Sequence, residues 1–302
     1  MAIGAGIIGA FLVIAGFKIV FNELIFPNIS RSFEYRSPEF SFDAQSVLNG
    51  REVIQGAKES ISSSNRKDII SASSYIVTSL DTSNKVLLEK NADTLLPLAS
   101  VTKLVTAVVA TRLMSADKQI EITKQMLATN GDTGRLRLGE KISVEELMYP
   151  LLMVSSNDAA EALARGFDRK KFIKEMNDWA NSIGAYRTYF RDPSGLSVEN
   201  VSTARDITII TKWIQENMPE IISITATKSK TIRVHTWTNP THFLNLSVYA
   251  GGKNGYTPEA NRTGLALFKL GTPEKLYAVV LLGSSFRDED TLDVLDLALK
   301  KM

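Results

Sequence analysis

Pro97-Leu98-Ala99-Ser100-Val101-Thr102-Lys103-Leu104-Val105-Thr106-Ala107 opens a run that reaches Met114 without Gly or Pro. Val101, Leu104, Val105, Val108, Val109 and Leu113 spread around the helical turn, and a helix apolar on every side is a buried one. Two polar groups interrupt it near its start. Ser100 and Lys103 are three apart, so on a helix they share a face one turn apart. A cation in a first turn opposes the helix dipole, and a capping box would place Glu or Gln where Lys103 stands. A buried lysine must lose its charge or find a partner. Those costs are explained if Lys103 is kept neutral to take the proton of Ser100. The pair also fits a Ser N-cap followed by a lysine reaching to solvent. The same spacing recurs at Ser64/Lys67 and Ser115/Lys118, both in polar contexts.

The chain around this stretch has 302 residues, 44% of them hydrophobic, and a net charge of +2. That is enough for one large domain or two small ones, and it leaves no basic footprint for nucleic acid. With no cysteine there is no disulfide framework and no thiolate nucleophile. The two histidines, His235 and His242, carry no metal-binding spacing. Nothing in the sequence calls for a metal or a cofactor. A serine enzyme in this chain would find lysine the more economical base.

Residues 1 to 17 carry no charged side chain, and Ile19-Val20-Phe21 extend the apolar run past Lys18. The length suits an uncleaved membrane anchor over 1–27, since the basic start and small-residue cleavage site of a signal peptide are absent. Lys18, Arg31 and Arg36 all flank its carboxyl side, against the usual bias for an external domain. Residues 28–70 read as linker, with a short helix possible from Ala44 to Ile61. The soluble domain is expected over 71–302.

Within that domain Tyr75 to Leu80 and Lys85 to Glu89 predict a hairpin around Asp81-Thr82-Ser83-Asn84. Helical patterns follow as far as Asn217, including a capping box at Ser143-Val144-Glu145-Glu146 and helices over Ala159 to Ala164, Lys170 to Ile183 and Ala204 to Glu216. Strands are expected at Phe243 to Tyr249, Thr263 to Leu270 and Leu276 to Leu282. The tail, with Leu292, Leu295 and Leu299 on one face, predicts a closing helix. The fold class is therefore α+β: one antiparallel sheet of about five strands flanked by helices, with an inserted helical subdomain and a site at the seam.

Two further polar clusters stand out. Between two helical runs, Ser155-Ser156-Asn157-Asp158 offers either a cap by Asn157 or Asp158 or a hydroxyl and an amide projecting into a cleft. Gly251-Gly252-Lys253-Asn254-Gly255-Tyr256-Thr257 fits an Asn-Gly turn. It equally fits a strand edge stripped of side chains for ligand approach, with Lys253 as a cation. Lys269-Leu270-Gly271 repeats its Lys-x-Gly pattern inside a strand.

Ser-x-x-Lys, Ser-x-Asn and Lys-x-Gly in this order form the motif set of penicillin-binding proteins and class A β-lactamases. The match extends to Leu147–Ala164, Met176-Asn177, Ile183-Gly184-Ala185 and Asp192-Pro193-Ser194-Gly195-Leu196. Over about residues 70 to 290 the chain resembles the serine D-alanyl-D-alanine carboxypeptidases, the low-molecular-mass penicillin-binding proteins, with their β-lactamase/transpeptidase-like fold. The resemblance implies that Ser100 is the acylated nucleophile and Lys103 its base, and that Ser155 and Asn157 assist proton transfer. It implies that Lys253, Asn254, Gly255, Tyr256 and Thr257 bind substrate, with the N–H groups of Ser100 and Tyr256 as oxyanion hole. The implied partners are the peptidoglycan stem peptide and β-lactams. The implied setting is a membrane-anchored carboxypeptidase with its domain on the extracytoplasmic side, trimming the terminal D-Ala. The family usually has Thr where this chain has Asn254, which opens endopeptidase activity or altered substrates. The rivals are a β-lactamase, for whose deacylating Glu only Glu161 and Glu175 are candidates, and a non-catalytic wall-binding relative.

Overall fold

The computed structural model describes residues 50–61, 70–81, 85–131, 133–271 and 274–301. The expected anchor over 1–27 and most of the expected linker, Ser64/Lys67 included, lie outside these. Among the described residues no helix is long and apolar enough to cross a membrane.

A five-stranded antiparallel sheet forms the frame, built from β1 (Ser74–Ser79), β2 (Val86–Lys90), β9 (Tyr249–Thr257), β10 (Asn261–Leu270) and β11 (Lys275–Ser284). Their order is β2-β1-β11-β10-β9, so strands from both ends of the domain meet at the centre and β9 forms an edge. The expected hairpin is β1–β2, and the register Ser74↔Leu282 to Ser79↔Tyr277 joins β1 to β11. β11 is covered on both faces, so it reads as a continuous apolar run rather than an alternation. Ala278, Val280 and Leu282 face the helical subdomain. Tyr277, Val279 and Leu281 face the closing helix.

That second face is covered by α1 (Gly50–Ile61) and α8 (Arg287–Lys300). Leu292, Val294, Leu295 and Ala298 of α8 are buried there with Ile54 and Ala57 of α1. Lys58 of α1 reaches Asp293 and Asp296 of α8 at 3.0 and 3.3 Å. Part of the stretch expected as linker is thus a helix packed on the domain.

The inserted subdomain starts at β3 (Leu96–Pro97) and a 3₁₀ turn over Ala99–Thr102, which passes directly into α2 (Lys103–Leu113). Leu104, Val105, Ala107, Val108, Val109 and Ala110 are each at most 2% exposed, so α2 is buried on every side as far as Ala110, with Thr111 and Arg112 of its last turn exposed. Around it lie the small ladder β4 (Gln119–Glu121) with β5 (Lys141–Ser143), then α3 (Val144–Met153), α4 (Asn157–Phe167) and α5 (Arg169–Ser182). Ser143 and Glu146 form the expected capping box, with reciprocal bonds of 3.1 and 2.8 Å. β6 (Val201–Ser202), which pairs with β3, leads into α6 (Ala204–Asn217).

Three features depart from the sequence reading. First, α7 (Pro219–Thr225) and the hairpin β7 (Ser229–Ile232) with β8 (His235–Thr238) occupy a stretch that carried no expectation. Second, Phe243 to Tyr249 is not a strand. His242–Asn245 is a 3₁₀ turn, because Phe243 is drawn inward between Phe268 and Tyr249, each with its ring centroid 5.7 Å away. Third, of the two readings open for Asn254-Gly255 the hairpin turn fails and the strand edge holds. It lies inside β9, paired with Gly264 and Thr263 of β10.

Candidate active site

Ser100 sits in the 3₁₀ turn, and Lys103 begins the helix behind it. The residue before the serine, Ala99, has φ 46°, a left-handed conformation that non-glycine residues adopt at a cost of about 1–3 kcal/mol. Gly195 explains why the turn can close. Its φ is +89°, and a Cβ there would fall 1.9 Å from the Ala99 carbonyl oxygen. Only glycine lets the 192–197 loop lie against the backbone of the serine turn.

Lys103 is 0% exposed. Its Nζ donates to Ser100 Oγ at 2.9 Å, to Asn157 Oδ1 at 2.7 Å and to the Ser194 carbonyl at 2.6 Å. The amine is therefore surrounded by oxygen acceptors from three elements. Burial, reinforced by the nearby charge of Lys253, pushes its pKa well below the ordinary lysine value, against the pull of Asp192.

The Ser194 carbonyl is held in place by Asp192. That carboxylate accepts from the N–H groups of Ser194, Gly195 and Ser197 at 2.6, 2.7 and 2.6 Å, and from Ser194 Oγ at 2.7 Å. Burial works against its ionisation, but these bonds hold its pKa below the usual carboxylate range. Asn200 braces the same loop, donating to the Asp192 carbonyl and to Thr102 Oγ1 at 2.9 and 3.2 Å.

Asn157 is not the helix cap. Ser156 caps α4 through Ala159 N at 3.1 Å, which leaves Asn157, the first helical residue, free to face the site. Its Oδ1 accepts a hydrogen bond from Lys103 Nζ while its Nδ2 donates to the Asn130 carbonyl. Ser155, between α3 and α4, is a second left-handed residue, φ 61°. That strained turn aims its hydroxyl across the groove, where Lys253 Nζ donates to it at 2.9 Å.

Lys253 is 4% exposed and also donates to the Asn254 carbonyl at 2.8 Å. Burial, then the charge of Arg287, bring its pKa down to about 7. A Cβ at Gly255 would lie 2.7 Å from the Ser100 backbone nitrogen, so the missing side chain lets β9 pass directly beside the nucleophile. Gly251 and Gly252 serve the fold instead. Cβ atoms there would meet the Ile222 carbonyl and Thr225 hydroxyl of α7, and the Leu265 carbonyl of β10.

The structure thus brings Ser100, Lys103 and Asn157 into one hydrogen-bonded unit and Ser155 and Lys253 into a second, with Gly255 between them. It does not bring Thr257 in, because that hydroxyl accepts from Ala260 N at 3.1 Å in the β9–β10 turn. The Tyr256 ring is 61% exposed with Arg262 over it at 5.7 Å. The repeated motifs lead elsewhere: Lys118 donates to the Gly166 carbonyl at 2.9 Å, and Lys269 pairs with Glu274 at 3.3 Å. His235 bonds Glu140 at 2.8 Å and stacks on Trp237. Glu161 is committed to Arg165 and Arg169, each at 2.9 Å. Sequence reasoning missed the carbonyls of Ser194 and Asn130. The visible signal for the first was Asp192-Pro193-Ser194-Gly195, a turn sequence with an Asp placed to receive backbone N–H groups.

A five-stranded antiparallel sheet with a helical subdomain, and a serine beside a buried amine at their seam, define a transpeptidase/β-lactamase-like fold of the kind found in DD-peptidases. Residues 61–284 match the model of the D-alanyl-D-alanine carboxypeptidases, peptidase family S11, and the chain belongs to that family. A D-alanyl-D-alanine endopeptidase of Escherichia coli K12 is 36% identical over 179 residues, 58% of this chain and 56% of that protein. The D-alanyl-D-alanine carboxypeptidase DacC of the same organism is 33% identical over 216 residues, 66% of this chain and 54% of that one. The chain thus spans little more than half the length of these relatives. Penicillin-binding protein D2 of Listeria monocytogenes, solved with ampicillin bound, superposes with TM-score 0.69 at 26% identity, over 78% of this chain and all of that one.

Proposed function

We propose that this chain is a serine DD-peptidase that hydrolyses the bond following a D-alanine in peptidoglycan stem peptides, with penicillins as acylating inhibitors. The observation that carries this reading is the 2.9 Å contact between Ser100 Oγ and an amine whose burial suppresses its charge. As Oγ attacks the D-alanyl carbonyl carbon, the neutral amine of Lys103 takes the hydroxyl proton. The N–H groups of Ser100 and Tyr256 hold the oxyanion. The carbon–nitrogen bond then breaks, and the leaving nitrogen takes a proton from the Ser155–Lys253 pair, which the proton held by Lys103 replaces, so that Lys103 is neutral again. Water next attacks the ester, Lys103 takes its proton and returns it to Ser100 Oγ as the acyl–oxygen bond breaks.

The sequence reading favoured a terminal D-Ala as leaving group. A second reading, cleavage of a D-alanyl cross-link by an endopeptidase, is supported by Asn254 and by the 36% identity to the E. coli endopeptidase. A β-lactamase using a glutamate and water for deacylation is disfavoured, since Glu161 is already held by two arginines. Residues 1–27 would anchor the domain outside the membrane, where peptidoglycan lies. Retention in the membrane pellet after alkaline carbonate extraction is the expected result.

The test is intact-mass spectrometry of the full chain with ampicillin. The wild type is expected to gain one ampicillin mass, and Ser100→Ala none. Equal labelling of both would overturn the assignment.

A further inference from the structure

The backbone just before Lys253 is fastened from outside the sheet by one hydroxyl. Thr225, the last residue of α7, is buried. Its Oγ1 accepts from Gly252 N at 2.8 Å and donates to the Ile222 carbonyl of its own helix at 2.6 Å. A hydroxyl carries one donor and two lone pairs, and this one ties the last turn of α7 to β9. Because β9 is an edge strand, a buried N–H along it needs a partner from elsewhere in the fold. The Thr225 carbonyl in turn accepts from Asn239 Nδ2 at 2.8 Å, so the stretch after β8 braces the same point. Thr225, Asn239, Ser155 and Lys253 line one hollow of about 90 Å³, which places this clamp directly beside the groove.

α7 is short and incompletely packed, so the clamp matters. A hollow of about 620 Å³ lies between it, α2 and α3. Another of about 420 Å³ lies toward Val248 and Leu276, and Ser223 lines both. Apolar contact fixes an element where neighbours are close-packed. Where α7 meets open space instead, its polar contact with β9 sets the separation of the two.

We propose that Thr225 is a positioning residue: its hydroxyl holds Gly252 so that Lys253 meets Ser155, and acylation of Ser100 depends on it through Lys253. This inference rests on the acyl-enzyme reading of Ser100. The hydroxyl touches no reacting atom. Without it the Gly252 N–H is left buried and unpaired. β9 then moves toward water, and the 2.9 Å contact between Lys253 and Ser155 lengthens.

The test is the rate at which ampicillin acylates the full chain. Thr225→Val keeps the branched shape without the hydroxyl and is expected to react about tenfold more slowly, the size of one lost hydrogen bond. Thr225→Ser keeps the hydroxyl and is expected to stay close to the wild type. Ser223→Ala removes a bond inside α7, to the Pro219 carbonyl at 3.1 Å, and is expected to change nothing. The decisive comparison adds Thr225→Val to Lys253→Met. A residue that acts through Lys253 has no further effect once that amine is gone, whereas a general loosening of the fold multiplies the two losses. A double variant as slow as Lys253→Met alone supports the proposal. Multiplied losses, or Thr225→Val reacting at the wild-type rate, overturn it. Asn239→Ala frees the Thr225 carbonyl and takes the place of Thr225→Val, with the same expectations, if that chain does not fold. Adduct formed equally fast by wild type and variant refutes only the positioning role; a wild type that forms none refutes the acyl-enzyme reading and this inference with it.

Discussion

Lys103 and Lys253 enter the same groove from opposite walls, one from a buried helix and one from a sheet edge. Both are withdrawn from solvent, at 0% and 4% exposure. Their surroundings differ in kind. Lys103 has three acceptors, each from a different element, and one of them is the nucleophile. Lys253 has a hydroxyl across the groove and a carbonyl next to it in its own strand. The three acceptors fix the first amine and by themselves favour its charge; burial and the charge of Lys253 oppose that charge and lower its pKa. The second site suits an amine that titrates, with a pKa of about 7. Identical side chains acquire different tasks because burial, neighbouring charge and the number of fixed acceptors differ.

Replacing each amine by methionine separates these tasks. Lys103→Met is expected to lower the rate of acylation by ampicillin roughly 10³-fold or more, as loss of a general base to a serine does. Lys253→Met should cost far less in that rate, and equal losses would erase the distinction. The frame around Lys103 is tested by Gly195→Ala. Its Cβ collides with the Ala99 carbonyl at a left-handed φ, so unfolding in urea should show a loss of about 3 kcal/mol or more.

Lys253 sharpens the contrast through pH. Its charge is lost as pH rises through about 7, so KM for a carboxylate-bearing substrate should be roughly tenfold higher at pH 8 than at pH 6. A carboxamide substrate should show no such change. The stability effect has a definite sign. The folded pKa lies below the ordinary value of 10.5, so between these pH values the unfolded chain binds more protons and stability rises with pH. Denaturation of Lys253→Met should show that slope reduced by about 1 kcal/mol per pH unit. The smallest effect concerns the turn opposite. Ser155→Gly relieves a left-handed serine but removes the hydroxyl that receives Lys253, so two opposing effects of about 1 kcal/mol each should leave stability nearly unchanged. A thermal melt beside an acylation assay checks both.

Much of this was legible in the residues. α2 could be read as buried because no side of it is polar enough for water, and Ser143 to Glu146 announced a cap that forms through its own atoms. The terminal leucines announced α8. What escaped depends on partners distant in the chain. Phe243 reads like part of a strand but turns inward because Phe268 and Tyr249 receive it. The Gly-rich stretch left a turn and a strand edge open, and it is a strand whose missing side chains make room for α7, for β10 and for Ser100 N. The acceptors of Lys103 include the Ser194 carbonyl, and the partner of Asn157 is the Asn130 carbonyl. Every residue has a carbonyl, so side-chain identity does not announce that contact. The trio Ser100, Lys103 and Asn157 was visible by type and spacing.

Activation of Ser100 depends on the protonation state of Lys103, and an NMR titration of ¹³C-labelled lysines in the full chain measures it, with Lys103→Met assigning the resonance. The predicted result is a signal that titrates well below those of the exposed lysines and is that of a free amine while they are still charged. A Lys103 that stays protonated until it titrates with the exposed lysines would contradict its role as the base.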